Sequence, residues 1–92
     1  MPVNSSILVN QDRLWSDLME LSKITEPDRP YTRRAFTSEF MSGRAWLEQK
    51  FHSAGLETRL DIAGNLYGRL AGEVAADRHI VSGSHSDTVR AG

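Results

Sequence analysis

Between Gln11 and Ile24 the apolar residues Leu14, Leu18 and Leu21 fall at i, i+4 and i+7, and Trp15 and Met19 widen the stripe. That spacing gathers them on one face of a helix. Asn10 stands where an N-cap belongs, and Asp12 suits the positive end of the helix dipole. The pattern breaks at "TEPDRPYTRRAFT", where Pro27 and Pro30 each disfavour helix at the residue before them. This is a loop longer than a simple connection, and such loops often carry function. A second stripe, Phe40, Leu47, Phe51 and Ala54, predicts a helix from Ser38 to Ala54. Thr37 or Ser38 can cap it, Glu39 sits in its first turn, and Gly55 is placed for a left-handed C-cap. His52, near that end, reads as a surface or dipole-complementing residue.

The period then drops to two. In "LETRLDI" Leu56, Thr58, Leu60 and Ile62 alternate with charged residues, as in a half-buried strand. Gly64 and Asn65 supply turn residues, and "NLYGRLAG" returns with Leu66 and Leu70 on one face, completing a hairpin. After the polar "GEVAADR", the run "HIVSGS" reads as a short strand, central because Ile80 and Val81 are consecutive apolar residues. Helix, loop, helix, hairpin and strand begin an α/β layered domain. A central strand needs neighbours that these segments do not supply. The expectation is therefore the front end of a larger domain, marginally stable when isolated.

Composition narrows the function classes. The chain has 92 residues, 39% hydrophobic and 25% charged, which suits at most one small domain. A formal charge of -1 gives no footprint for nucleic acid or acidic lipid. No apolar stretch has the length of a membrane helix, and the N-terminal residues lack a secretory pattern, so a cytoplasmic location is the default. With no cysteine, disulfides and thiolate metal sites are excluded, and a metal would need His, Asp or Glu. Arg33 and Arg34 could grip an anion, but two adjacent arginines read first as a solvated surface pair.

The densest chemistry closes the chain, in "GSHSDTVRAG" from Gly83 to Gly92. On extended backbone His85 and Asp87 point to the same side. One imidazole nitrogen could bind a divalent metal while the other donates to the carboxylate, which fixes the ring. Sites of α/β sheets collect at the carboxyl ends of strands, where this pair would sit. Gly83 and Ser84 leave room for a ligand, and Thr88 offers a hydroxyl. The competing reading is a polar turn, since H-x-D alone is a weak signal.

These residues resemble a known family. "GSHSDTVRAG" is similar to the opening of the metal-binding motif G-S-H-x-D-T-V-x-x-G-G of the dinuclear M20 metallopeptidase-type amidohydrolases. "YTRRAFTSEFMSGRAWLEQKFHSAGLETRLDIAGNLYGRLAG" resembles the N-terminal region of the hydantoinase/carbamoylase family within that group. The family includes N-carbamoyl-L-amino acid hydrolases, allantoate amidohydrolases and ureidoglycolate-type amidases. The likeness runs from about Leu14 to Gly92, and the paired D-x-x-G-N-L-x-G-R and G-S-H-x-D-T-V signatures are specific.

The resemblance implies the N-terminal portion of a three-layer αβα metallopeptidase-like catalytic domain, with residues 1–92 as an incomplete part of it. It implies that His85 is the first metal ligand and that Asp87 is the catalytic-site aspartate that orients it. Asp61 and Asn65 match a structural hairpin. It further implies two divalent metals per active site, zinc or manganese first and cobalt or nickel next, with homodimeric family members. The substrate class is a small ureido or amide molecule whose C–N bond is hydrolysed. The bridging aspartate, the glutamate base, the other ligands and the lid have no counterpart in these residues, so the chain alone is expected to be inactive. An aminoacylase or dipeptidase of the same superfamily, and a non-catalytic remnant or binding module, are the alternatives.

Overall fold

The computed structural model describes residues 7–72 and 79–90. Its elements are α1 (Gln11–Ser22), α2 (Ser38–Ser53), β1 (Glu57–Leu60) and β2 (Leu66–Arg69), a small α/β chain. Local signals in the sequence set their ends. The Asn10 side chain accepts from the Arg13 amide at 3.0 Å, and Thr37 does the same for Phe40 at 3.1 Å. Each satisfies an amide that the first helical turn leaves without a partner. α2 ends where Gly55 takes φ 84°, the left-handed conformation glycine adopts without steric cost.

The hairpin forms as the alternation predicts. β1 and β2 pair antiparallel, with Thr58 opposite Gly68 and Leu60 opposite Leu66. Arg59 lies over the ring of its cross-strand neighbour Tyr67, 4.3 Å from the centroid. α2 covers only part of one face. A Cβ on Gly68 would come within 2.7 Å of Phe51, so the missing side chain lets helix and sheet approach. Leu60, Ile62 and Leu70, expected on a half-buried face, are exposed.

No hydrophobic residue is buried among the described residues. The Cα radius of gyration is 15.8 Å, against about 12 Å for a compact chain of this length. The α1 stripe of Leu14, Trp15 and Leu18 faces solvent. The deepest side chains are polar, Thr32 at 0% and Arg33 at 8% exposure. They follow Pro30 in the loop between α1 and α2, which closes on itself. The Thr32 amide donates to Thr25 Oγ1 at 2.9 Å, and the Glu26 amide donates to the Thr32 carbonyl at 2.8 Å. Tyr31 at φ 55° and Phe36 at φ 67° hold left-handed backbone, at a cost of roughly 1–2 kcal/mol each.

One expected element is absent. "HIVSGS" forms no strand among the described residues, and Ile80 and Val81 are exposed. A strand exists only through ladder bonds to a neighbour, and the described hairpin does not lie beside this segment. His85 therefore follows an unpaired segment rather than ending a central strand. The segment is not helical either, which keeps the predicted alternation of side chains open to it.

Candidate functional site

His85 and Asp87 meet as their spacing predicts. His85 Nδ1 lies 2.9 Å from the Asp87 carbonyl oxygen and 3.2 Å from Asp87 Oδ1. A carbonyl oxygen can only accept, so Nδ1 carries the proton. In a neutral ring that leaves Nε2 with a bare lone pair. The imidazole side chain is 82% exposed, so the lone pair opens to solvent. An orienting acceptor on one nitrogen and a free lone pair on the other is the donor arrangement of a metal-binding histidine. It suits one ligand of a divalent cation such as zinc. Among the described residues there is no group of three or more His, Asp or Glu that could hold a metal ion.

The segment is held in place by a residue read from sequence as surface. Arg33 Nε donates to the Ser86 carbonyl at 2.9 Å. The Arg33 amide donates to Thr88 Oγ1 at 2.8 Å, and the Thr88 amide returns a bond to the Arg33 carbonyl at 2.8 Å. Arg33 Nη1 donates to the carbonyls of Leu21, at 2.9 Å, and Ile24, at 2.8 Å. Leu21 lies in the last turn of α1, which holds no basic residue, and Ile24 lies just past its C-cap Lys23. The guanidinium thus supplies the positive charge that a helix C-terminus favours. Burial draws its pKa down from the ordinary arginine range.

The surface reading therefore fails for Arg33, which is buried, and holds for Arg34, which is exposed; both are engaged by acceptors within the chain. Arg34 makes a two-pronged pair with Glu26, Nε to Oε2 at 2.7 Å and Nη2 to Oε1 at 2.8 Å. The bond lowers the Glu26 pKa and raises that of Arg34. Thr88, noted in sequence only as a nearby hydroxyl, has its oxygen committed to Arg33. Gly43 completes the clamp, because a Cβ there would lie 2.8 Å from Arg33 Cδ. No sequence signal marks Gly43 or the burial of Arg33, because the partners of the guanidinium are main-chain carbonyls at residues 21, 24 and 86.

Asp61 and Asn65, read as structural, are just that in the hairpin turn. Asp61 Oδ1 accepts from the amides of Ala63 and Asn65 at 3.0 and 2.9 Å. Its Oδ2 accepts from Asn65 Nδ2 and the Tyr67 hydroxyl, both at 3.0 Å. The Asn65 bonds first, and the others with them, hold its pKa down at about 2. His52 stays on the surface as expected, with Nε2 2.8 Å from Thr58 Oγ1, which donates to Glu48 at 2.8 Å. A shallow hollow of about 190 Å³ lies beside the Arg33 clamp, lined by Leu18, Leu21, Ser22, Tyr31, Arg33 and Thr88. Neither His85 nor Asp87 lines it.

Known proteins with similar sequence share one kind of chemistry. The chain is 45% identical over 62 residues to an allantoate amidohydrolase of Bacillus subtilis, covering 67% of this chain and 15% of that protein. It is 39% identical over 64 residues to an allantoate amidohydrolase of Escherichia coli, covering 70% and 16%. It is 35% identical over 83 residues to an N-carbamoyl-L-amino acid amidohydrolase of Geobacillus stearothermophilus, covering 89% and 20%. The chain thus spans only 15 to 20% of the length of these curated relatives. No family model and no solved structure matches it.

Proposed function

We propose a hydrolytic role for this chain from one premise: it belongs to the family of allantoate amidohydrolases and N-carbamoyl-L-amino acid amidohydrolases. The reaction is metal-assisted hydrolysis of a linear amide or carbamoyl C–N bond in a small ureido substrate. N-Carbamoyl-L-amino acids, allantoate and ureidoglycolate-type molecules are the candidates. The accompanying fold is a three-layer αβα domain of the M20 type, of which the two helices and the hairpin form the opening part. A cytoplasmic homodimer fits the same reading. No helix among the described residues is long and apolar enough to cross a membrane.

The observation that supports this role is the His85–Asp87 geometry. Nε2 of His85 is the atom that would hold a divalent cation, zinc or manganese before cobalt or nickel. Held by His85 and further ligands, a pair of such metals would supply Lewis acidity for the substrate carbonyl and for an attacking water. Asp87 keeps the proton on Nδ1 and fixes the aim of the ring. Its contact with Nδ1 supports the reading of Asp87 as the aspartate that orients the ligand. One imidazole is a single ligand, so the 92-residue chain contributes to such a site and is not expected to turn substrate over by itself.

The test is an assay of allantoate and N-carbamoyl-L-amino acid hydrolysis in the protein that carries this sequence. Activity should vanish on chelation, return with zinc or manganese, and stay absent in His85→Ala. Hydrolysis indifferent both to chelation and to His85→Ala overturns the reading.

A further inference from the structure

We propose that Arg33 is the positioning residue of the His85–Asp87 pair, acting as a clamp between the end of α1 and the main chain on both sides of Asp87. The proposal rests on the reading of His85 as a metal ligand. Among the described residues 79–84 form no strand, so within this chain the His85 segment is positioned by its contacts to the loop between α1 and α2. The bonds that hold the segment come from Arg33. Its Nε takes the Ser86 carbonyl at 2.9 Å, just before Asp87. Its amide and carbonyl take the Thr88 hydroxyl and amide, each at 2.8 Å, just after Asp87. With the flanking peptides fixed, the Asp87 carbonyl meets His85 Nδ1 at 2.9 Å and sets the tautomer.

The other end of the clamp is anchored independently. Nη1 binds the Leu21 and Ile24 carbonyls, and the buried Thr32 beside it holds the loop backbone. The stem passes over Gly43, where a side chain would collide with it. Only a planar guanidinium fork reaches carbonyls in two directions at once. A lysine ammonium is a point donor on a flexible stem and cannot span Ser86 and the α1 end together. Cause therefore runs from the α1 end through Arg33 to Asp87, and from Asp87 to the lone pair on His85 Nε2.

The experiment reads the imidazole nitrogens of His85 by ¹⁵N NMR in the full chain, assigned with His85→Gln. Arg33→Lys, Thr88→Val and Thr88→Ser are compared with wild type. Wild type and Thr88→Ser should show a protonated Nδ1 and a bare Nε2. Arg33→Lys and Thr88→Val should lose that preference and drift to the tautomer mixture of a free imidazole. The Asn65 side-chain amide signals, which report the distant hairpin turn, should not move. In the active protein the same two variants should lower kcat by about 10–100-fold with KM little changed, and Thr88→Ser should restore it.

A His85 that keeps its tautomer in both Arg33→Lys and Thr88→Val overturns the clamp. Should Arg33→Lys unfold the loop, Thr88→Val against Thr88→Ser decides, because valine keeps the shape and removes only the hydroxyl. Hydrolysis insensitive to chelation would overturn the metal reading and leave the clamp standing. An unmoved His85 signal does the reverse.

Discussion

Asp61 and Asp87 are both aspartates in short polar segments, two residues from a small residue or a histidine, and both were legible as motif positions. Their surroundings differ in one respect. Asp61 faces four donors that belong to its own hairpin and leave it nothing more to do. Asp87 faces one imidazole, and its effect passes through that ring to a nitrogen open to solvent. A carboxylate saturated by fixed local donors stabilises structure. A carboxylate that spends its bond on another titratable ring aims that ring at something else. The donor count, not the presence of an acid in a motif, separates the two.

The widest separation between the two sites should come from His85→Ala. In the active protein it should remove hydrolysis beyond the about 10–100-fold that loss of an orienting partner costs. Asp87→Asn should fall within that range and leave the melting temperature almost unchanged, which paired rate and thermal-unfolding measurements would check. If Asp87→Asn instead unfolds the protein and spares the rate per folded molecule, the comparison is inverted.

Gly43→Ala comes next. The added methyl meets the Arg33 stem, whose head is pinned, and overpacking of this kind costs about 1–3 kcal/mol. It should disturb the His85 signal and leave the Asp61 turn intact. Asp61→Asn should do the opposite, with a lowered urea midpoint at neutral pH and an unchanged His85 signal. Its pH dependence is also specific. The Asp61 pKa falls from 3.8 to about 2 in the folded chain, so the folded state binds fewer protons. That stability is fully present above pH 3.8 and is lost as pH falls through about 2. In Asp61→Asn the stability curve should flatten across that window. The smallest effect belongs to Asn10→Ala. It removes the α1 cap for about 1 kcal/mol and should leave His85 alone, because the clamp uses the other end of that helix.

The sequence made plain whatever a few neighbouring residues decide. Asn10, Thr37 and Gly55 end helices by contacts within three or four positions, and the hairpin follows from alternation around Gly64–Asn65. The His85–Asp87 contact was legible for the same reason, as two side chains with one residue between them. The strand at Ile80 and Val81 was not, because consecutive apolar residues describe what a strand would bury and not whether a neighbour lies beside it. Arg33 was misread for a related reason. Its charge and its arginine neighbour suggest solvent, while its burial goes with carbonyls supplied by residues 21, 24 and 86.

Arg33 recognises Ser86, Leu21 and Ile24 through atoms that every amino acid carries. Its side of the contact is written in the genetic text, and the other side is not. A saturation-mutagenesis map should therefore show an intolerant row at Arg33 and a permissive row at Ser86, although the two bond directly. Patterns of paired substitution, which register contacts between side chains, would pass over this joint altogether. Designers who wish to graft the histidine segment elsewhere would need to carry the arginine and the helix end with it, however unrelated the letters between them look.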